Sequence, residues 1–317
     1  MCTAIFKKGV NPLFGRTLDV EYERGETLIV TPKSFCFEFL HEKNVSSHPP
    51  VMGIGCVIDG VPLYFDALNE HGLAVAALSF SGYAEYREKR KYFHNIASFE
   101  FIPFVLSKCK TVKQAKGLLE KTNITPDAFS HTLPPSPLHW LIADKSGEVI
   151  TVESTKSGLS ISENPLGILT NAPDFSYQMT NLCNYISLSR TQPENTTFEG
   201  IVLSPYSRGM GALGLPGDFS STSRFVKAAF LNSCVKCQNG NTDSEINAFF
   251  HVTDGVTVPY GSVENENGEI TYTLYTSCMN LNSFEYLYTT YENRSVKRFC
   301  GKDLPLDGDI LVLYPLK

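Results

Sequence analysis

Residues 72–80, Gly-Leu-Ala-Val-Ala-Ala-Leu-Ser-Phe, form an unbroken apolar run of strand length. A strand with one dry face alternates apolar and polar residues, whereas a continuous apolar run needs cover on both faces. The segment therefore predicts a strand buried on both sides in a layered molecule. Around it, Cys2–Phe6, Leu13–Asp19, Thr27–Thr31 and Gly53–Ile58 are short runs rich in β-branched and aromatic residues, separated by Gly, Pro and Asn. A helical stretch follows at Ser98–Lys108, apolar at Phe101, Phe104 and Val105. A second opens after Thr111, an N-cap side chain, with Val112, Ala115, Leu118 and Leu119 at helical spacing. Strands resume at Leu138–Ala143 and Val149–Ser154, joined by the turn Asp144-Lys-Ser-Gly147. Helical periodicity returns at Ser221–Ser233 and again at Ser244–Val252, where Ser244 is expected to cap. The last strands are expected at Ile270–Tyr275, Phe284–Thr290 and Ile310–Tyr314. Strands and helices come in blocks, which predicts sheets covered by grouped helices and not an alternating βαβ fold.

The 317 residues, 42% hydrophobic, are enough for a sizeable core. The length fits one large domain or two closely joined halves. A net charge of −6, from 27 Lys+Arg against 33 Asp+Glu, argues against a nucleic-acid partner. The run Arg87-Glu-Lys-Arg-Lys91 reads as a solvated loop or helix face. No apolar run approaches the roughly 20 residues of a membrane span. Lys7 and Lys8 come too late for a secretory signal, so a cytoplasmic location with no membrane partner is expected. The nine cysteines then read as reduced, mostly buried side chains. Cys234-Val-Lys-Cys237 lacks a second pair at zinc spacing, and the seven histidines show no ligand spacing, so neither metal nor cofactor is expected. Sequons at Asn44, Asn123, Asn195 and Asn293 would matter only in a secreted protein. Gly209–Gly214 matches GxGxxG, but Pro216 and Gly217 stand where a phosphate-binding helix should begin, so the segment reads as a loop. Ser107-Lys-Cys-Lys110 matches SxxK without its companion motifs.

Cys2 is the informative residue. A small second residue permits removal of Met1, which would place a thiol and a free α-amine on one carbon. An α-amine titrates at roughly 7.7–8.0 and can act as general base for its own side chain, as in N-terminal threonine nucleophiles. No catalytic histidine is then needed.

Eight segments carry a resemblance. They are Met-Cys-Thr at the start, Phe14-Gly-Arg16-Thr-Leu-Asp19, Asn69-Glu-His-Gly-Leu73, Leu138-His-Trp140, Leu169-Thr-Asn171-Ala-Pro173, Gly214-Leu-Pro-Gly-Asp-Phe-Ser-Ser-Thr-Ser-Arg224-Phe225, Tyr275-Thr-Ser-Cys-Met279 and Tyr288-Thr-Thr-Tyr-Glu-Asn293. In order and spacing, over essentially the whole chain, they resemble the choloylglycine hydrolase family, which contains bile salt hydrolases and penicillin V acylases. The resemblance implies an α+β fold: a four-layer αββα N-terminal-nucleophile sandwich of two antiparallel sheets, formed by 1–317 as a single domain with Met1 removed. It implies hydrolysis of the amide joining a bile acid to glycine or taurine, with taurocholate and glycocholate as substrates, and a homotetramer.

The same resemblance assigns roles. Cys2 would attack the carbonyl and form a thioester, splitting one hard cleavage into two easier steps. Asp19 would accept a hydrogen bond from the α-amine; its alternative is a turn or cap aspartate. Arg16 and Arg224 match two active-site arginines, and a cation near sulfur favours thiolate; surface ion pairs are the alternative. Asn171 matches an oxyanion-hole asparagine, or is a turn residue before Ala172-Pro173. Ser79 departs from the pattern: bile salt hydrolases commonly carry Asn there and penicillin V acylases often Tyr. If the backbone N–H is what matters, Ser is tolerated; if the Asn side chain positions substrate, activity or specificity differs. Leu18, Ile58, Phe65, Phe129 and Leu133 fall where the family's apolar pocket lies, with plain core packing as the alternative. Arg208, in the loop before Gly214, would meet the amino-acid end, and its fork of donors suits a taurine sulfonate. The readings that compete are a penicillin V or N-acyl-homoserine-lactone acylase using the same Cys2, and a non-enzymatic binding protein with Met1 retained.

Overall fold

The structure is a computed structural model that describes residues 1–237 and 240–316. Its strands are β1 (Cys2–Lys7), β2 (Leu13–Val20), β3 (Thr27–Thr31), β4 (Val51–Ile58), β5 (Val61–Asn69), β6 (Leu73–Ser79), β7 (His94–Ala97), β8 (Thr122–Thr125), β9 (Leu138–Asp144), β10 (Val149–Thr155), β11 (Gly158–Glu163), β12 (Ile168–Leu169), β13 (Thr196–Phe198), β14 (Ile201–Leu203), β15 (Val263–Glu264), β16 (Ile270–Asn280), β17 (Glu285–Thr290), β18 (Lys297–Cys300) and β19 (Val312–Pro315). The α-helices are α1 (Phe101–Lys108), α2 (Val112–Leu119), α3 (Phe175–Leu182), α4 (Ser221–Cys234) and α5 (Thr242–Asp254).

Two antiparallel sheets face each other. One runs β12-β1-β2-β16-β17-β18, with β15 paired to β16; the other runs β11-β10-β9-β6-β5-β4-β3-β19. Three apolar clusters define four layers. Ala4, Phe14, Leu28, Ile54, Leu78 and Met279 pack between the sheets. Val75, Trp140 and Ile142 turn the outer face of the second sheet toward α1 and α2. Ile5, Leu13 and Ile168 turn the outer face of the first toward α4 and α5, through Phe225, Ile246 and Phe249. The αββα expectation therefore holds.

The strand predicted from residues 72–80 is β6. Ala74, Ala76 and Leu78 point between the sheets, while Leu73, Val75 and Ala77 point at the helices. Both faces are dry, so no polar alternation is present to read. Thr111 caps α2 as expected, accepting from the Gln114 amide at 3.3 Å.

Several expected boundaries moved; the strand expected at Ile270–Tyr275, for one, runs on to Asn280. Residues 98–100 form a 3₁₀ turn before α1. There the Glu100 carboxylate is taken by the Leu40 and Ala97 amides, at 2.7 and 2.8 Å. Helix α5 is capped by Asn241, not Ser244, because the Asn241 side chain accepts from the Ser244 amide at 3.0 Å. Strand β17 starts at Glu285 because Phe284 has a φ of 51°, outside the extended region. The last strand starts at Val312. Strand β5 was not anticipated; Asp59-Gly60, both at positive φ, make the two-residue turn that joins it to β4. No helix among the described residues is long and apolar enough to cross a membrane.

Candidate active site

Cys2 opens β1 and pairs with Leu18 on β2, and Ala4 pairs with Arg16. Side chains alternate on a strand, so Arg16 shares the inward register of Cys2 and Leu18, while Thr3 and Asp19 face α4. Gly15 makes the close approach of β2 to β16 possible: a Cβ there would stand 2.0 Å from the Ser277 carbonyl oxygen.

Arg16 is fully buried and crosses the sandwich. Its Nη1 donates to the carbonyls of Phe65, at 3.1 Å, and of Ala77, and its Nε donates to Thr17 at 3.2 Å. Nη2 is buried with no partner among the described residues. Arg224, equally buried, comes from α4, whose N-cap Ser220 accepts from the Ser223 amide at 3.4 Å. Its Nη1 donates to the Cys2 carbonyl and, at 2.7 Å, to Thr3 Oγ1; Nη2 donates to Asn171 Oδ1 at 2.7 Å; Nε donates to the Phe219 carbonyl at 2.9 Å. Asn171 follows β12. Its Oδ1 also accepts from the Cys2 nitrogen at 2.8 Å, and its Nδ2 donates to the Ser79 carbonyl at 2.8 Å.

With Met1 in place, Asp19 reaches the N-terminus through its main chain. Its carbonyl accepts from the Met1 amine at 2.7 Å and its amide donates to the Met1 carbonyl at 3.0 Å. Its carboxylate accepts from Thr273 Oγ1 at 2.6 Å and lies 4.0 Å from Arg224 Nη1. The expected contact of that carboxylate with the α-amine is therefore not what this form displays.

Electrostatics tie the buried charges together. Burial opposes the charge on Arg16, but Cys2, then Tyr275, Asp66 and Asp19 outweigh it and hold the pKa above its ordinary value. For Arg224, burial prevails over Asp19, Cys2 and Asp218, and the pKa falls. Burial raises the Asp66 pKa against the pull of Arg16 and of hydrogen bonds from Tyr286, Tyr275 and Ser277.

Cys2, Arg16, Leu18, Asp19, Asn171 and Arg224 thus form one connected set, with Ser79 joined through its carbonyl and Phe65 packed alongside. Four residues are not brought to it by any hydrogen bond, ion pair or ring contact among the described residues. Ile58 ends β4; Phe129 donates its amide to the Leu133 carbonyl at 3.1 Å within one loop, where Leu133 is exposed; and Arg208 is exposed beside Gly209. Two clefts among the described residues, of about 730 and 430 Å³, are lined by Lys7, Lys113, Lys116 and Glu163 and by Arg87, Arg90 and Ser154, and neither of these two includes Cys2. Gly209–Gly214 holds a 3₁₀ turn and no phosphate-binding helix.

Sequence reasoning missed Thr3, Thr273 and Asp66. Asp66 is wholly buried and accepts from Tyr275 Oη at 2.7 Å and from Tyr286 Oη. A lone carboxylate inside Leu63-Tyr-Phe-Asp66-Ala-Leu68 was the available signal.

The chain is similar to known proteins over its whole length. Residues 2–314 match the linear amide C–N hydrolases of the choloylglycine hydrolase family. A bile salt hydrolase/transferase of Lactiplantibacillus plantarum is 42% identical over 320 residues, covering 100% of this chain and 97% of the relative. A mutant conjugated bile acid hydrolase from Clostridium perfringens superposes with a TM-score of 0.92 at 33% identity, covering 100% of this chain and 97% of that one. Penicillin V acylase from Agrobacterium tumefaciens shares the fold, with a TM-score of 0.78 at 20% identity over 98% and 90% of the chains.

Proposed function

The chain belongs to the choloylglycine hydrolase family and hydrolyses linear amide C–N bonds, and we propose that its substrates are bile acids conjugated to glycine or taurine, attacked by Cys2 after removal of Met1. The single observation that carries this reading is the convergence on Cys2: Asn171 holds its nitrogen and Arg224 its carbonyl, with Arg16 on the same inward face of the neighbouring strand. The named relatives support the substrate class.

Once Met1 is gone, the Cys2 nitrogen held by Asn171 becomes the α-amine. It takes the thiol proton, and sulfur attacks the substrate carbonyl carbon. Arg16 and Arg224 stabilise the negative charge on sulfur. Asn171 Nδ2 carries a second proton besides the one given to Ser79, and this donor meets the developing oxyanion. The amine then delivers its proton to the leaving nitrogen as the C–N bond breaks, releasing glycine or taurine and leaving a thioester. Water attacks the thioester, the C–S bond breaks, and free bile acid and thiol result. A free amine in place of water would give a new conjugate, in keeping with the hydrolase/transferase name of the L. plantarum relative. Ser79 serves through its main-chain carbonyl, which accepts from Asn171 Nδ2 whatever side chain stands there. Leu18, Ile58, Phe65, Phe129 and Leu133 receive the steroid, and exposed Arg208 meets the head group, favouring the sulfonate of taurine.

The enzyme is read as a cytoplasmic single-domain homotetramer. Only the assembly is supported by the hairpin β13–β14: Phe198, Ile201, Val202 and Leu203 lie exposed outside both main sheets, the kind of apolar surface a partner covers.

Release of taurine and glycine from taurocholate and glycocholate tests the reading, with Cys2→Ala and penicillin V in parallel and intact mass to follow Met1. Release that disappears in Cys2→Ala supports it. Turnover of penicillin V alone would move the chain to the acylase branch, and retained Met1 would remove the proposed base. An unchanged taurine-to-glycine ratio in Arg208→Ala would sink the head-group assignment.

A further inference from the structure

His139 and Glu153 lie outside the machinery just described, yet they touch both segments that carry it. His139 is on β9, fully buried, and Glu153 is its cross-strand partner on β10. His139 shares the inward register of Leu141 and Ala143, so its ring crosses to the opposite sheet. There Nε2 lies 2.9 Å from the Thr170 carbonyl oxygen, and Nδ1 lies 3.1 Å from Glu153 Oε1. A carbonyl can only accept, so Nε2 must carry a proton, and the ring turns Nδ1 to the carboxyl group. Glu153 in turn accepts from the Phe175 amide, at 3.1 Å to Oε1 and 3.3 Å to Oε2.

These contacts bracket one short segment. His139 holds Thr170, immediately before Asn171, and Glu153 holds Phe175, at the start of α3. Between them the Asn171 amide donates to Ser221 Oγ at 2.9 Å. The same imidazole stacks on Phe80, with ring centroids 4.2 Å apart and planes 9° off parallel. Phe80 follows Ser79, whose carbonyl accepts from Asn171 Nδ2. One buried pair thus fixes both ends of the Asn171 loop and the chain beside Ser79. Plain packing of an apolar sandwich would be served by a leucine, and burying an imidazole and a carboxyl group is favourable only where all their polar atoms are satisfied, as here.

We propose that His139 and Glu153 are positioning residues that hold the Asn171 side chain in register with Cys2. The inference rests on the oxyanion role given to Asn171 above. Catalytic donors must be held within about 0.5 Å of the productive geometry, and a loop released at both ends cannot do that.

The test is a cycle of His139→Phe, Asn171→Ala and their double variant, with Glu153→Gln as the conservative change. Phenylalanine keeps the stack on Phe80 and loses both hydrogen bonds. Glutamine can still accept from Phe175 and donate to Nδ1. Turnover is measured on whichever of taurocholate, glycocholate and penicillin V the wild type cleaves fastest. Alkylation of Cys2 by iodoacetamide, resolved by peptide mass, is followed alongside. His139→Phe should lower kcat by roughly 10–100-fold, short of or equal to the loss from an oxyanion donor, while KM and the rate of Cys2 alkylation stay within about threefold. Added to Asn171→Ala it should cost little more, because the pair acts through that side chain. Glu153→Gln should stay within about threefold of wild type. If His139→Phe does not fold, His139→Leu, which likewise donates to neither partner, replaces it in the cycle with the same expected loss.

Losses that multiply in the double variant, an unchanged kcat in His139→Phe, or alkylation that falls together with kcat would each overturn the inference. Full activity of Asn171→Ala would instead overturn the oxyanion role itself, and the inference with it.

Discussion

Replacing Arg224 with methionine removes one partner of a charge pair that lies wholly between α4 and the β1–β2 hairpin. Arg224 and Asp19 are both essentially inaccessible, with 0% and 1% of their surface exposed. The guanidinium donates to the Phe219 and Cys2 carbonyls, Thr3 Oγ1 and Asn171 Oδ1, and lies 4.0 Å from Asp19 Oδ2. Methionine fills similar length but donates nothing, so the Asp19 carboxylate keeps only its hydroxyl partners, Thr273 at 2.6 Å and Thr17 at 3.4 Å. Breaking a buried pair on one side costs about 3–5 kcal/mol. At about 2.1 cal/mol/K per residue, 317 residues unfold with an entropy of roughly 0.7 kcal/mol/K, so Tm should fall by about 4–8 °C. Adding Asp19→Asn removes the stranded charge, and the double variant should melt above Arg224→Met. Differential scanning calorimetry at pH 7 on wild type, both single variants and the double gives the cycle, with a coupling expected in the range of about 0.5–3 kcal/mol. A Tm for Arg224→Met within about 1 °C of wild type, or a double variant that melts below it, would refute the view that these two charges depend on each other.

Three further outcomes follow from the same structure. Asn171→Ala should lower kcat by about 100–1000-fold through loss of an oxyanion donor; steady-state kinetics with a loss below about tenfold would contradict the role. Asp218 is held down to about 2, first by the Ser220 side chain, then by the Ser223 side chain and the Ser220 amide. A depressed carboxylate adds stability above its unfolded pKa and loses it as pH falls through the folded one. Asp218→Asn should therefore lower Tm slightly at pH 7, by an amount worth at most about 1 kcal/mol for so exposed a group, and the difference should shrink between about pH 4 and pH 2; a pH-independent difference would oppose this. Gly15→Ala would set a Cβ 2.0 Å from the Ser277 carbonyl, and forcing β2 off β16 should cost about 1–3 kcal/mol and activity together, read by melting and turnover. A fully stable, active Gly15→Ala protein would show that the strands yield freely.

Much of the frame was legible beforehand because it rests on local physics. The dry run at 72–80, the Thr111 cap and the Asp144–Gly147 turn each depend on residues within a few positions of one another. The misplaced boundaries also have local causes seen only in space: Phe284 left the extended region, and the Asn241 side chain reached the Ser244 amide before any serine cap formed. Strand β5 escaped notice because Pro62 and Asp66 interrupt its apolar pattern. The reason for Asp66 lies at Tyr275 and Tyr286, more than 200 residues away, whose hydroxyl groups meet it.

By itself the sequence, through the order of motifs that resemble one family, indicated the layered α+β fold and the family, and named Cys2, Arg16, Asp19, Asn171 and Arg224 as candidates, since motif order needs no knowledge of contacts. Tertiary structure alone decided which atoms these residues present. Asp19 turns its main chain to Met1 and its carboxylate to Thr273, Arg16 crosses between the sheets, and Asn171 spans Cys2 and Ser79. It also decided that His139, one histidine among seven, reaches through the sandwich to the Asn171 loop. Spacing along a chain sets the face a side chain takes. The partner it meets there is set by how two sheets and the helices outside them close on each other, and burial makes each such hydrogen bond costly to leave unmade.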